Sequence, residues 1–365
     1  MAEIPDTMHA VHLLGYGGFD QLDYRTDVPV PQPAPNEVLI QVGACGVNNT
    51  DINTRIGWYS KTVTDGTDSG ATDGHGDSVS DDGGWSGTLD FPRIQGADAA
   101  GTIVAVGSDV DAARVGERVM VRTMQNAGCA DPVMCEVFGS EFDGGFAQFA
   151  VADATEAFAV SSDLSDVELA SFPCAYSTAE GMLHKVGLAK GERVLITGAS
   201  GGVGSAAIQL AARRGAVVTA VASEAKWPQL DGLGAERLVD RNADLLAEFG
   251  TDSFDVILDV VAGPTWPTFL ELLVRQGRYI TAGAIAGPIV ELDVRTLYLK
   301  DLTLMGSTNQ PREVFTNLIS YIEAGEITPI VSKTYPLSDI AEAQQDFLDK
   351  TYPGKLVLIP PAIEG

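Results

Sequence analysis

Val194-Leu195-Ile196-Thr197-Gly198-Ala199-Ser200-Gly201-Gly202-Val203-Gly204 decides how this chain is read. A short apolar run enters a turn of small residues, and residues 205–214 then have helix-forming composition. Ala199, Gly201 and Gly204 take the three small-residue positions of a dinucleotide-binding turn. Small residues let the backbone approach a pyrophosphate and let the helix pack on the strand. A helix starting near Val203 offers its free N–H groups to the phosphates. Ala199, Gly201, Gly202, Val203 and Gly204 are therefore the expected cofactor loop.

Outward from this loop, apolar runs alternate with helical ones. Strands are predicted at 194–197, 217–222, 237–239, 256–260 and 278–282, and helices at 205–214, 226–233, 243–249 and 265–274. Such alternation means a doubly wound parallel sheet, the α/β Rossmann arrangement. Before about residue 163 the pattern differs. Short runs at 37–42, 101–107 and 118–122 are closely punctuated by Gly and Pro, which predicts a compact antiparallel β domain. After residue 306, helices at 314–324 and 340–348 and a strand at 355–359 either rejoin that first domain or form a cap.

Composition bounds the function. A chain of 365 residues has a prior of two domains, and 45% apolar residues supply their cores. The net charge is -27, which opposes binding to nucleic acid or to an anionic membrane surface. The 31 Asp and 19 Glu against only 8 Lys and 15 Arg suit either a high-salt protein or an ordinary acidic one. Four cysteines, Cys45, Cys129, Cys135 and Cys174, make no disulfide framework and fit a reducing compartment. No signal-peptide pattern and no run of 18 apolar residues is present, so a cytoplasmic location is expected.

Residues 60–90 stand apart. Of these 31 residues, 24 are Gly, Asp, Ser or Thr, too few apolar groups to offset the entropy of ordering. A flexible acidic surface insertion is expected, either a lid over a site or a solvated extra loop.

The second parallel strand ends at Val221-Ala222-Ser223, where a carboxylate marks an NAD site. Glu224 lies just past it, but Lys226 and Arg241 are close in sequence and suit a 2′-phosphate. Ser223, Lys226 and Arg241 favour NADP(H) over NAD(H).

Further motifs are Gly46-Val47-Asn48-Asn49-Thr50-Asp51, Gly96-Ala97-Asp98, Ala282-Gly283-Ala284 and Gly354-Lys355-Leu356-Val357. With the glycine loop, they make the chain resemble the medium-chain dehydrogenase/reductase superfamily over nearly its whole length. The resemblance implies a GroES-like, mainly β catalytic domain (1–162 and 307–365) split around a Rossmann domain (163–306). Zinc alcohol dehydrogenases of that family carry Cys where Asn48 stands, and Gly-His-Glu where Gly96-Ala97-Asp98 stands. Cys174 matches the remaining ligand position, and one soft ligand does not hold a catalytic zinc. Cys129 and Cys135 are too few for the four-cysteine structural lobe. His9, His12, His75 and His184 lack ligand neighbours at useful spacing. No zinc is expected.

Asn48 in Gly-Val-Asn resembles the zinc-free quinone oxidoreductase and enoyl reductase branch. There the Asn and a nearby Tyr, here Tyr59, face the nicotinamide. Thr178, Gly283, Ala284, Ser307 and Lys355 match positions that line the cofactor. The expected reaction is hydride transfer from NADPH to a quinone or an α,β-unsaturated carbonyl, with Asn48 and Tyr59 as donors to the developing oxyanion. An alcohol dehydrogenase and a non-catalytic NADPH-binding protein are the alternatives. The family also implies a homodimer, with 297–307 as the edge strand.

Overall fold

The computed structural model describes residues 4–67, 70–75, 82–85, 87–125 and 136–363. Two sheets organise it. The first is parallel and six-stranded, in the order Arg237–Val239, Val217–Val221, Arg193–Ile196, Phe254–Asp259, Leu273–Thr281, Thr303–Gly306. Its central strands are buried on both faces, as their unbroken apolar runs require. Val194 and Ile196 belong to the core on one face and Leu195 to the core on the other. Val256, Ile257 and Leu258 divide in the same way, the two-residue period of a strand. The predicted strands and helices recur within a few residues of their expected bounds.

The second sheet is seven-stranded. It runs Val331–Pro336, Lys355–Ile359, Glu37–Gly46, Ala100–Val106, Arg118–Val121 and Ala157–Ala159, with Phe149–Asp153 also on Glu37–Gly46. Lys355–Ile359 pairs antiparallel with the end of Glu37–Gly46, Val357 opposite Gly46 and Leu358 opposite Cys45. A small sheet of Leu22–Pro29, Thr7–Leu13 and Arg93–Ile94 lies beside it.

Packing divides the tail, which the sequence reading assigned whole to the catalytic domain. Phe315, Leu318 and Ile322 of the helix Arg312–Glu323 pack into the core shared by the parallel sheet and the helix Pro173–Val186. The return to the seven-stranded sheet begins at Val331. The edge strand is also shorter than expected. Leu297, Tyr298 and Leu299 end a helix, Val294–Leu299, started by the Asp293 side chain, which accepts from the Arg295 amide. A turn through Asp301 at φ 51 separates that helix from the strand Thr303–Gly306.

The insertion, expected as a flexible acidic surface segment, keeps exposed residues such as Lys61, Thr64, Asp65 and Asp73, but it is anchored among its described residues; 68–69, 76–81 and 86 lie outside them. The cause is Arg55, fully buried on the helix Asn49–Ile56. Its guanidinium donates to Ala71 O at 2.7 Å, Gly17 O at 2.8 Å and Gln344 Oε1 at 2.9 Å. Burial pushes its pKa down to about 10. Ala71 of the insertion is buried at this contact, and Thr67 is buried as well.

Candidate active site

The glycine loop leaves the strand Arg193–Ile196 through Thr197 and Gly198, whose φ of 57 suits glycine. A Cβ at Gly204 would lie 2.3 Å from Gly198 O, so this position admits only hydrogen. The helix Gly202–Arg213 starts at Gly201 with no side-chain cap, which leaves first-turn amides for an anionic ligand. That cradle of bare backbone fits a dinucleotide pyrophosphate.

The C-terminal segment closes on the loop. Gly354 N–H donates to Ser200 O at 2.8 Å, and Gly201 forms a bridge with Gly354. A Cβ at Gly202 would lie 3.0 Å from Lys355 Cδ. The structure thus brings the loop and Lys355 together, although more than a third of the chain separates them.

Lys355 then turns inward. Its ammonium donates to Asn48 Oδ1 at 2.5 Å, Asp98 Oδ2 at 2.8 Å and Val47 O at 3.0 Å. Lys355 is 2% exposed and Asp98 is 0% exposed. Asn48 Nδ2 donates to the same Asp98 oxygen at 2.9 Å and to Gly46 O at 3.3 Å. These partners fix the amide, since its oxygen must face the ammonium and its nitrogen the carboxylate. The other Asp98 oxygen accepts the Cys174 amide at 2.6 Å. Asp98 entered the sequence reading only as a departure from Gly-His-Glu, yet it joins Asn48, Lys355 and Cys174.

Asp51 holds this cluster from behind. It accepts the Asn48 amide at 2.8 Å and the Ala97 amide at 3.1 Å. Burial, with Asp98 nearby, pushes its pKa up to about 7 against those two hydrogen bonds. Burial also raises the Cys174 thiol, while the Thr178 hydroxyl, one helical turn on, hydrogen-bonds it and pulls the other way. Tyr59 donates to Thr50 Oγ1 at 3.2 Å, and burial raises its pKa. Its proton is therefore directed at Thr50.

The remaining expected residues line the carboxyl ends of the parallel strands. Ser307 N–H donates to Thr281 O at 2.8 Å, and Thr281 Oγ1 donates to Gly283 O at 2.9 Å. Ala284 follows on the same turn. Ser223 starts the turn after Val217–Val221. Lys226 donates to Lys350 O, and its pKa is lowered by burial and then by the charge of Arg241. These two cations face one region, and Arg241 makes no salt bridge among the described residues. Glu224 is exposed beside them, and its amide donates to Asp240.

Sequence reasoning missed Asp259. This carboxylate is 0% exposed at the end of Phe254–Asp259. It accepts from Tyr279 OH at 2.6 Å, Val261 N at 2.9 Å, Ala262 N at 3.0 Å and the Thr197 hydroxyl. It braces the floor of the glycine loop. An Asp ending a parallel strand is the only signal the sequence carried.

A groove of about 1520 Å³ lies elsewhere, lined among others by Arg122, Glu156, Phe158, His184, Gln310 and Arg312. It contains none of the expected site residues. Among the described residues no three His, Cys, Asp or Glu side chains converge as a metal site, and Cys129 and Cys135 lie outside them. No helix there is long and apolar enough to cross a membrane.

Comparison with known proteins agrees with this architecture. Residues 34–162 match the family described as alcohol dehydrogenase GroES-like domain, and residues 233–358 match that described as zinc-binding dehydrogenase. The chain is 30% identical to a quinone oxidoreductase of Lama guanicoe, over 96% of this chain and 97% of that protein. It is 26% identical to an acryloyl-coenzyme A reductase of Metallosphaera sedula, over 91% and 95% of the two. A crystal structure from Sinorhizobium meliloti 1021, provisionally described as an alcohol dehydrogenase, superposes with a TM-score of 0.87 at 46% identity, covering 98% of each chain. The chain belongs to the medium-chain dehydrogenase/reductase superfamily, in its quinone oxidoreductase-like branch, and is an NAD(P)H-dependent oxidoreductase.

Proposed function

We propose that this protein uses NADPH to reduce a quinone or an α,β-unsaturated carbonyl without a metal. The observation that carries the reading is the Lys355 ammonium bonded to Asn48 and Asp98. In the zinc branch those two motif positions belong to the metal centre. Here the ammonium engages Asn48 Oδ1 and Asp98 Oδ2, while the Cys174 thiol is held protonated by burial. That donor set does not fit zinc, which takes about three deprotonated or neutral ligands in a catalytic site.

Bound dihydronicotinamide supplies the hydride. The chain's own residues orient the acceptor and receive the charge. Hydride arrives at the β-carbon, the C=C electrons move towards the carbonyl, and the oxygen becomes anionic. Asn48 is locked by Lys355 and Asp98, and its second Nδ2 hydrogen, which makes only a 3.3 Å bond to Gly46 O, is shared with the oxygen. A proton from Tyr59 or water completes the reduction. Lys226 and Arg241, with Ser223, take the 2′-phosphate. Thr178, Gly283, Ala284 and Ser307 bound the nicotinamide end.

The test is loss of 340 nm absorbance with a benzoquinone, an enone, an enoyl thioester and an aldehyde, using NADPH and then NADH. Quinone or enone turnover with NADPH preferred is expected. Turnover of the aldehyde alone, with stoichiometric zinc, favours the alcohol dehydrogenase alternative. In the paired variant Lys226→Ala/Arg241→Ala, KM for NADPH should rise about tenfold or more, with KM for NADH little changed.

A second copy of the chain is the expected partner. Among the described residues the strand Thr303–Gly306 pairs on one side only, and Val294, Tyr298 and Leu299 beside it are 58–60% exposed. Light scattering at micromolar concentration should report a dimer.

A further inference from the structure

The insertion reaches from one domain to the other. Thr67 N–H donates to Ile285 O at 3.2 Å, on the turn that follows Gly283 and Ala284. Gly66 lies so close that a Cβ there would sit 2.5 Å from Ile285 O. At its other end the segment starts beside the Asn48 cluster, since Tyr59 is bonded to Thr50 on the helix Asn49–Ile56. Trp58 Nε1 donates to Asp65 O at 2.9 Å and holds the segment in a compact turn.

Three aromatic rings gather on this strap. Trp58 and Tyr59 meet edge to face with centroids 5.7 Å apart, and Trp85 meets Tyr59 at 5.1 Å. All three are half-buried, so each leaves some surface open. The Thr67 hydroxyl is buried with no hydrogen-bond partner among the described residues, an uncommon state for a group that can serve an incoming oxygen.

We propose that Trp58, Tyr59 and Trp85 form an acceptor subsite for planar conjugated rings, held against the cofactor domain by the Gly66–Ile285 contact. The proposal deepens the reductase reading and rests on it. Flat rings of quinone type find aromatic edges and faces there, and a small aliphatic enone finds much less to contact. The strap is a specificity element, because Gly66 and Trp85 take no part in hydride or proton transfer.

The experiment uses two acceptors and one binding measurement. The ratio of kcat/KM for 1,4-naphthoquinone to that for cyclohex-2-enone is measured with NADPH. The Kd of 1,4-naphthoquinone is measured on the NADP+-loaded protein, where no reduction takes place. Trp85→Ala should lower the ratio at least tenfold and raise that Kd by a similar factor. Trp85→Phe should keep both within threefold. Gly66→Val, which drives a side chain against Ile285, should reproduce Trp85→Ala with every ring still present. NADP+ binding within twofold of wild type shows that each variant is folded. Equal losses on both acceptors, or no loss, overturn the subsite. So does a wild-type protein that fails to bind naphthoquinone while reducing another acceptor. Naphthoquinone binding that Trp85→Ala weakens, without turnover of any acceptor, overturns the reductase reading and supports the subsite.

Discussion

Asp98 and Asp259 are both fully buried, and they are satisfied by different means. Asp98, beside Asn48, meets the Lys355 ammonium, the Asn48 amide and the Cys174 N–H. Asp259, beneath the cofactor loop, meets two hydroxyls and two backbone amides and makes no salt bridge among the described residues. A buried charge needs either a counter-charge or a full set of oriented dipoles. The Asp98 cluster uses the counter-charge, and in the proposed reaction this keeps a cation where negative charge gathers. The cofactor side uses dipoles and so adds no cation of its own under the loop.

The largest effect should follow from breaking the charged member. Asp98→Asn leaves the Lys355 ammonium buried beside a neutral amide, and a broken buried pair costs about 3–5 kcal/mol. Denaturant unfolding should show that loss, together with a fall in kcat/KM of about a hundredfold as Asn48 loses its anchor. A loss under about 1 kcal/mol would mean that the pair contributes little.

Next comes Asp51, which adjoins the charged cluster. Its proton is held up to about pH 7 in the folded chain against an ordinary value of 3.8. A raised carboxyl contributes stability that is complete below the ordinary value and is lost as pH rises through the folded one. The stability of wild type minus that of Asp51→Asn should therefore fall by roughly 2–4 kcal/mol between pH 4 and pH 8. A flat difference would show that Asp51 takes up its proton at the same pH folded and unfolded.

Asp259→Asn should have the smallest effect. It removes a charge that had no counter-ion and keeps one acceptor oxygen, so about 1–3 kcal/mol is expected. NADPH affinity should weaken only a few-fold as Thr197 shifts. A cost equal to that of Asp98→Asn would erase the contrast between the two sites.

The same contrast measures what a linear sequence reveals. The glycine loop and the strands around it were legible because their signals are local: a period of two, a turn of small residues, a helix to follow. Asn48 and Lys355 were legible one at a time, as members of short motifs. Their mutual bond was not, since nothing in the spacing of residues 48 and 355 states that the last strand pairs with Glu37–Gly46. Asp259 left almost no trace, because its partners Thr197 and Tyr279 come from neighbouring strands and meet only in the folded sheet. The anchor of the insertion left no trace for a related reason. The insertion's composition reads as solvated, yet Arg55, outside it in sequence, supplies the anchor.

The bond from Gly354 to Ser200 O bears on the order of events during synthesis. Ser200 leaves the ribosome long before Gly354 exists. Until the late segment arrives, the cofactor loop lacks its tether and Asp98 lacks its cation. A nascent or truncated chain can build the parallel sheet and still be poorly equipped to hold a nucleotide. Competence would then come with the closing strand, so that coenzyme retention reports whether translation ran past residue 355.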